Sequence, residues 1–186
     1  MQIHFSDEPI DYDGTQLTPH WIYKKFGLLG DSLVSFVGGC DVKIEKMVDL
    51  VDVTDNKPIW SGKMLHFIGE FFDTDLVRTI LMERLLVSLA QQEIVCRTGK
   101  KQTLVRGGND LYDDGAKLSV AIATASPVST LIHFGINISS KGTPVKTKGL
   151  EEYDIEPASF AHALMESFRD EIKTVMEARS KVKAVY

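Results

Sequence analysis

The segment from Arg106 to Ser139, RGGNDLYDDGAKLSVAIATASPVSTLIHFGINIS, limits the fold more than any other part of the chain. It reads in three pieces. Arg106-Gly107-Gly108-Asn109-Asp110 is polar and glycine-bearing. Asp113-Asp114-Gly115 is a turn signal, and its neighbours Leu111, Tyr112, Lys117 and Leu118 suit strands, so a β-hairpin is predicted here. Leu131 to Ile138 is a second apolar run, and it holds His133 and Asn137. Polar groups buried in a strand cost desolvation energy unless paired, so they mark either hydrogen-bonded structure or a site.

The rest of the chain supplies strands, a long helix, more strands and a terminal helix. Thr18-Pro19 can open a short helix. Ser32 to Val37 alternates apolar and polar, as a half-buried strand does. It ends at Gly38-Gly39-Cys40-Asp41, where glycine permits a tight turn or close approach of a ligand. Met47 to Val53 also alternates and is predicted as a strand, with Asp49 and Asp52 on opposite faces. Thr54 to Gly62 is a loop by composition. Met64 to Phe72 is a strongly apolar strand in which His66 and Glu70 share one face.

Asp75 to Gln92 is the clearest helix. Leu76, Ile80, Leu81, Leu85, Val87 and Leu89 form a broad apolar stripe, behind the capping residues Asp73-Thr74-Asp75. Arg97 to Lys101 is a basic loop, Thr103 to Val105 begins a strand, and Lys141 to Gly149 is loop-like. Asp154 to Lys183 is a C-terminal helix entered near Pro157, with Phe160, Leu164, Phe168, Ile172, Val175 and Met176 at three- and four-residue spacing. Strands and helices segregated in this way imply an α+β domain.

A length of 186 residues supports one core, so residues 1–186 are read as a single domain. The formal charge of −5 argues against broad nucleic-acid binding. Lys173, Arg179, Lys181 and Lys183 read as a solvated helix face. No apolar run reaches the roughly 18 residues needed to cross a bilayer, and MQIHFSDEP lacks the form of a secretory leader. The two cysteines, Cys40 and Cys96, lie outside any CxxC pair, which suits a reducing cytoplasm and gives no zinc-finger signal. The expectation is a cytoplasmic protein that binds neither nucleic acid nor membrane.

Each candidate residue has a plainer reading beside the functional one. Lys117 is either a ligand-binding cation or a solvated hairpin lysine. Arg106 either holds an anion or pairs at the surface with Asp110 or Asp113, worth under roughly 1 kcal/mol. Asn109-Asp110 either positions a ligand or caps a turn. His133 is either a site residue or a hydrogen-bonded core histidine, and Asn137 either touches a ligand or satisfies neighbouring backbone. His66 and Glu70 with His133 would make a metal or acid/base cluster, against a structural pair. Cys40 is read as a plain small residue, since no base is placed beside it. Ser126 to Thr130 is a loop between strands.

Asn109-Asp110-Leu111-Tyr112, Asp114-Gly115, Lys117-Leu118 and Gly135-Ile136-Asn137-Ile138 together resemble the biotin protein ligase catalytic domain. There a helix leads into a PND(L/I)Y strand, a (D/N)G.KL hairpin and a GIN(V/I) strand. Arg106-Gly107-Gly108, Lys117 and His133 are similar to the RGG, K(I/L) and HG elements of lipoate ligases and octanoyltransferases. The likeness runs from 75 to 139, and the whole chain is also similar to an uncharacterised prokaryotic domain-of-unknown-function family.

The resemblance implies a mixed, largely antiparallel sheet packed by helices, like class II aminoacyl-tRNA synthetases, with a ligand pocket on one sheet face. It implies Lys117 as the catalytic residue near the carboxylate and phosphate of an acyl-adenylate, where an ammonium in a partly dry pocket stabilises developing negative charge. Arg106, with Gly107 and Gly108, would hold the anion. Asn109 and Asp110 would shape the nucleotide or metal side, while His133, Gly135 and Asn137 would line the pocket. ATP with magnesium is the implied cofactor, a small carboxylic acid the implied ligand, and a homodimer an open partner state.

The departures point the other way. Asp55-Asn56-Lys57-Pro58-Ile59-Trp60 stands where the ligases have an arginine-rich adenylate loop, and it has no arginine. Val120 replaces the family's glycine after the KL element. Ala158 stands where octanoyltransferases have a cysteine, and alanine cannot form a thioester. Three readings therefore stay open: acyl activation or transfer, a non-catalytic binding module of the same fold, and a metal-binding protein or metal-dependent hydrolase using His66, Glu70 and His133.

Overall fold

The run from Leu131 does form a strand, ending at Asn137 rather than Ile138, and its alternation sorts the molecule into two faces. The structure, a computed structural model, describes residues 1–57, 59–99, 103–141, 143 and 145–185. Its elements in chain order are β1 (Gln2–Ser6), α1 (Trp21–Phe26), β2 (Ser32–Val42), α2 (Leu50–Thr54), β3 (Ile59–Phe71), α3 (Leu76–Thr98), β4 (Leu104–Gly107), β5 (Asp110–Asp113), β6 (Ala116–Lys117), β7 (Ser119–Ala125), β8 (Thr130–Asn137) and α4 (Pro157–Lys181). Short 3-10 turns lie at Ile44–Lys46 and Leu150–Tyr153. The main sheet has five strands in the order β1-β2-β3-β8-β7, and β4-β5-β6 form a smaller one. Only the β1–β2 pairing is parallel among these. The chain is thus an α+β fold with a mixed, mostly antiparallel sheet.

On one face, Ile132, Phe134 and Ile136 of β8 join Leu65 and Phe67 of β3 against Leu86, Ala90 and Ile94 of α3 and Phe160, Leu164 and Phe168 of α4. Each large apolar side chain buried there contributes roughly 1.5–3 kcal/mol. The other face carries His133, Gly135 and Asn137 beside Met64, His66 and Ile68. It is covered by Tyr12, Leu17, Trp21 and Ile22, from a segment with little regular structure.

Local chemistry explains the ends of the long helices. The Asp75 carboxylate accepts from the Arg78 N–H at 2.9 Å, and Gly99 ends α3 in the left-handed region at φ 69°. The helix outruns its expected end at Gln92, and a Glu93–Arg97 pair at 2.6 Å supports its last turns. Glu156 caps α4, and Pro157 starts it.

Three elements differ from expectation. β2 does not stop at Gly38 but continues through a bulge between Gly38 and Cys40. Glycine is needed there because the Ile10 carbonyl crosses the strand, and a Cβ would lie 1.9 Å from it. Met47 to Val53 is not a strand: Asp49 accepts from the N–H groups of Val51 and Asp52 and nucleates α2, and no neighbouring strand offers a competing ladder. The expected loop over Thr54 to Gly62 gives way at Ile59, where β3 pairs with Val42. Pro58, Lys100, Lys101, Gly142 and Pro144, where loops were expected, lie outside the described residues. No described helix is long and apolar enough to cross a membrane.

Candidate functional site

Two tight hairpins assemble the polar edge of the site. Gly108, at φ 64°, and Asn109 turn β4 into β5. Asp114 and Gly115, at φ 50° and 72°, turn β5 into β6 in the two-residue form that Asp-Gly favours. The turns bring Asp110 and Lys117 together, with Lys117 Nζ 2.7 Å from Asp110 Oδ2. The backbone of Lys117 is held by the Lys146 carbonyl at 2.9 Å and by the Lys148 N–H at 3.1 Å.

Lys117 stands between two adjoining cavities. The smaller, of about 220 Å³, is lined by Tyr12, Lys46, Asp49, Asp52, Asn109, Asp110 and His133 among others. The larger, of about 420 Å³, is more apolar and is lined by Trp60, Met64, Ser119, Asn137 and Val145 among others. Asp52, Ile59, Lys117 and Val120 line both.

The small cavity is rich in acceptors. Burial raises the Asp110 carboxyl above its usual range, against the opposing pull of Lys117. Asp110 Oδ1 is buried without a well-formed hydrogen bond among the described residues, though the Ala121 backbone N–H is near enough to favour the ionised carboxylate. Behind it, burial pushes Glu83 of α3 up to about 7, and Asn109 hydrogen-bonds to that carboxylate. Lys46 is taken up by Asp13 at 2.6 Å. Asp49, Asp52 and Asp110 therefore outweigh the free positive charge.

At the floor lies a histidine pair. His66 Nδ1 and His133 Nε2 are 3.1 Å apart, and both rings are buried. Tyr12 stacks on His133 with centroids 3.7 Å apart, and Phe36 lies tilted against His66 at 5.3 Å. Burial pushes His66 down to about 4 and His133 well below its ordinary value, with the neighbouring ring adding to the latter shift. The pair is neutral at physiological pH. Gly135 makes room for it: a Cβ there would lie 2.9 Å from Met64 Cε and 3.2 Å from His133 Nε2.

The other candidates fall outside this group or have structural partners. Arg106, Gly107 and Gly108 are exposed, and the Arg106 guanidinium folds back onto the Gly108 carbonyl of its own turn. Asn137 lines the larger cavity, but its side chain accepts from the Ser61 hydroxyl at 3.1 Å and donates to the Lys117 and Lys148 carbonyls. Glu70 turns to the His20 N–H and the Ser129 hydroxyl, both at 2.8 Å, rather than to His66. Among the described residues no group of three or more His, Cys, Asp or Glu is placed to hold a metal ion, so the metal-dependent reading lacks its cluster. Burial pushes the Cys40 thiol up to about 12, which leaves it inert as a nucleophile. Tyr12, Lys46, Asp49, Asp52 and Glu83 come into the site from parts of the sequence that offered no such signal, apart from the two aspartates read there as strand residues.

This arrangement of sheet, helices and paired hairpins is that of the biotin protein ligase catalytic domain. The biotin protein ligase from Aquifex aeolicus, solved in complex with biotin and ATP, superposes with a TM-score of 0.61 over 95% of this chain and 72% of that one, at 13% identity. A Helicobacter pylori biotin acetyl coenzyme A carboxylase synthetase gives 0.56 at 15% identity, covering 91% and 75%. At such identities the likeness is one of fold. The chain itself belongs to the family described as Domain of unknown function (DUF366), which matches residues 1–183. An uncharacterised protein of Methanocaldococcus jannaschii is 41% identical over 84% of this chain and 72% of its own length. A solved protein of unknown function from Pyrococcus horikoshi is 38% identical with a TM-score of 0.93, over 100% and 99% of the two chains.

Proposed function

We propose that the protein is a small-molecule-binding domain whose ligand lies across the two cavities, with its acid group against Lys117. The observation that carries this reading is the position of Lys117, shared by an apolar cavity and a polar one. A ligand with an apolar body and a carboxylate suits that division. If the site is catalytic, acyl activation or acyl transfer is the class that the fold analogy favours. ATP with magnesium is the corresponding co-ligand, but the residues present fit it poorly. Asp49, Asp52 and Asp110 repel a bare triphosphate, no arginine lines either cavity, and no described cluster is placed to hold the metal.

A non-catalytic module of the same fold is the second reading. It is favoured by the 2.7 Å pair that already neutralises the Lys117 ammonium. Thermal denaturation against ATP with and without magnesium, biotin, lipoate, octanoate and the three acyl-adenylates tests both. Stabilisation by at least one acid or adenylate, lost in Lys117→Ala, is expected. No stabilisation by any would contradict ligand binding of this type, and binding without turnover on an acyl acceptor would select the second reading.

A further inference from the structure

We propose that the C-terminal half of α4 is a self-association surface that takes a second copy of this chain, helix against helix, antiparallel and centred on Val175. No residue of α4 lines either cavity beside Lys117, so the proposal stands independently of the ligand reading.

The argument starts from an apolar stripe that is longer than the core it seals. Phe160, Leu164 and Phe168 of α4 are buried, and Ile172 still packs against the same core. The spacing then carries on to Val175, Ala178 and Val182, past the point where the rest of the chain covers it. Val175 is 51% exposed and Val182 72%, and Ala178 is half-buried. Met176 points elsewhere, into a shallow cleft with Met1 and Asp31. An amphipathic helix face of this kind, left apolar in water, is a surface for a partner.

The charges beside Val175 select the partner. Glu171 and Arg179 stand one turn before it and one turn after it, each about 40° from it around the helix. Both are exposed, and neither has an ion pair among the described residues. Neither has an oppositely charged residue three or four positions away, so α4 cannot pair them within itself. The other charges of this stretch do pair, Arg169 with Asp170 and Lys173 with Glu177, on the side away from Val175. An antiparallel second copy, turned about a two-fold axis at Val175, satisfies both unpaired charges at once. Position 171 meets position 179 of the second copy, and 179 meets 171. Val175 meets its counterpart, and Ile172 lies opposite Ala178. A parallel copy would instead set like charges together.

A contact of about three helical turns is small beside the roughly 1,600 Å² of a standard interface, so association is weak and depends on concentration. Sedimentation equilibrium on the full chain, up to about 1 mM, tests it. The wild type should show a monomer–dimer equilibrium. Glu171→Arg and Arg179→Glu should each weaken the dimer by at least about tenfold, because each sets like charges opposite one another twice. The double variant Glu171→Arg/Arg179→Glu should recover it, and so should an equimolar mixture of the two single variants. Val175→Asp should also dissociate the dimer, with the far-ultraviolet circular dichroism unchanged. Should that variant not fold, the charge variants decide alone, since both positions are exposed. A wild type that stays monomeric throughout would overturn the proposal. A dimer indifferent to the single reversals, or one that the double variant and the mixture fail to restore, would place any interface elsewhere and overturn it too.

Discussion

The two faces of the five-stranded sheet are built from alternate residues of the same strands, yet they differ in nearly every physical respect. Phe67, Ile132, Phe134 and Ile136 seal one face against α3 and α4. On the other face, His66, Glu70, His133 and Asn137 each depend on a specific polar contact. There an irregular N-terminal segment leaves cavities of about 220 and 420 Å³ uncovered. Stability and ligand chemistry are thus separated by the parity of residue number along β8, and substitutions one residue apart should have opposite signatures.

Phe134→Ala should break the protein most, by about 3–5 kcal/mol in urea denaturation, because the void cannot close between packed helices. If that cost falls below roughly 1 kcal/mol, the α3–α4 face is not the rigidly packed one. Its neighbour Gly135→Val should cost roughly 1–3 kcal/mol, through contact with Met64 and His133, and should also abolish binding in the cavities. Calorimetric titration on the folded fraction separates the two effects.

Glu83 sharpens the comparison because it reaches from the sealed side to hydrogen-bond with Asn109, where the Asp110 charge also acts on it. Its folded value of about 7 lies above the ordinary 4.5, so its contribution is full below the latter and lost as pH rises through the former. Glu83→Gln should be nearly neutral at pH 5 and stabilising by on the order of 1–2 kcal/mol at pH 8. Equal effects at both pH values in paired denaturation curves would show that Glu83 does not titrate in this range. The smallest stability effect is expected for Lys117→Ala, within roughly 1 kcal/mol, since the side chain is about one-third exposed (34%). Thermal shift should nevertheless show its acid-ligand stabilisation gone.

Much of the fold was legible because local chemistry and tertiary context agree. Asp114-Gly115 takes the left-handed pair its residue types favour, the apolar run from Leu131 to Asn137 lies in β8, and the helix expected from Asp75 is α3, although it buries Met82, Leu86, Val87, Ala90 and Ile94 and leaves Leu76 and Leu81 of the expected stripe exposed. Met47 to Val53 misled because its alternation suits a strand, whereas the Asp49 cap turns it into α2. Gly38 misled because glycine here admits a crossing carbonyl rather than ending the strand. The candidate site was legible only where chain neighbours form it, as at Asn109, Asp110 and Lys117. The His66–His133 contact depends on the β3–β8 register, which places Ile68 opposite His133. Tyr12, Asp49 and Asp52 arrive from distant segments. Arg106-Gly107-Gly108 lies outside the cavities because it belongs to the outer side of a hairpin, while its motif gave only composition.

The most direct test of the account is a methyl-labelled spectrum titrated with the octanoyl, lipoyl and biotinyl adenylates in turn. Ile59, Val120 and Ile122, which line the cavities, should move with at least one of them, while Ile132 and Ile136 on the sealed face stay fixed. Saturating additions that leave all three cavity methyls unmoved, or that shift only the sealed face, would contradict a ligand site on the histidine-bearing face.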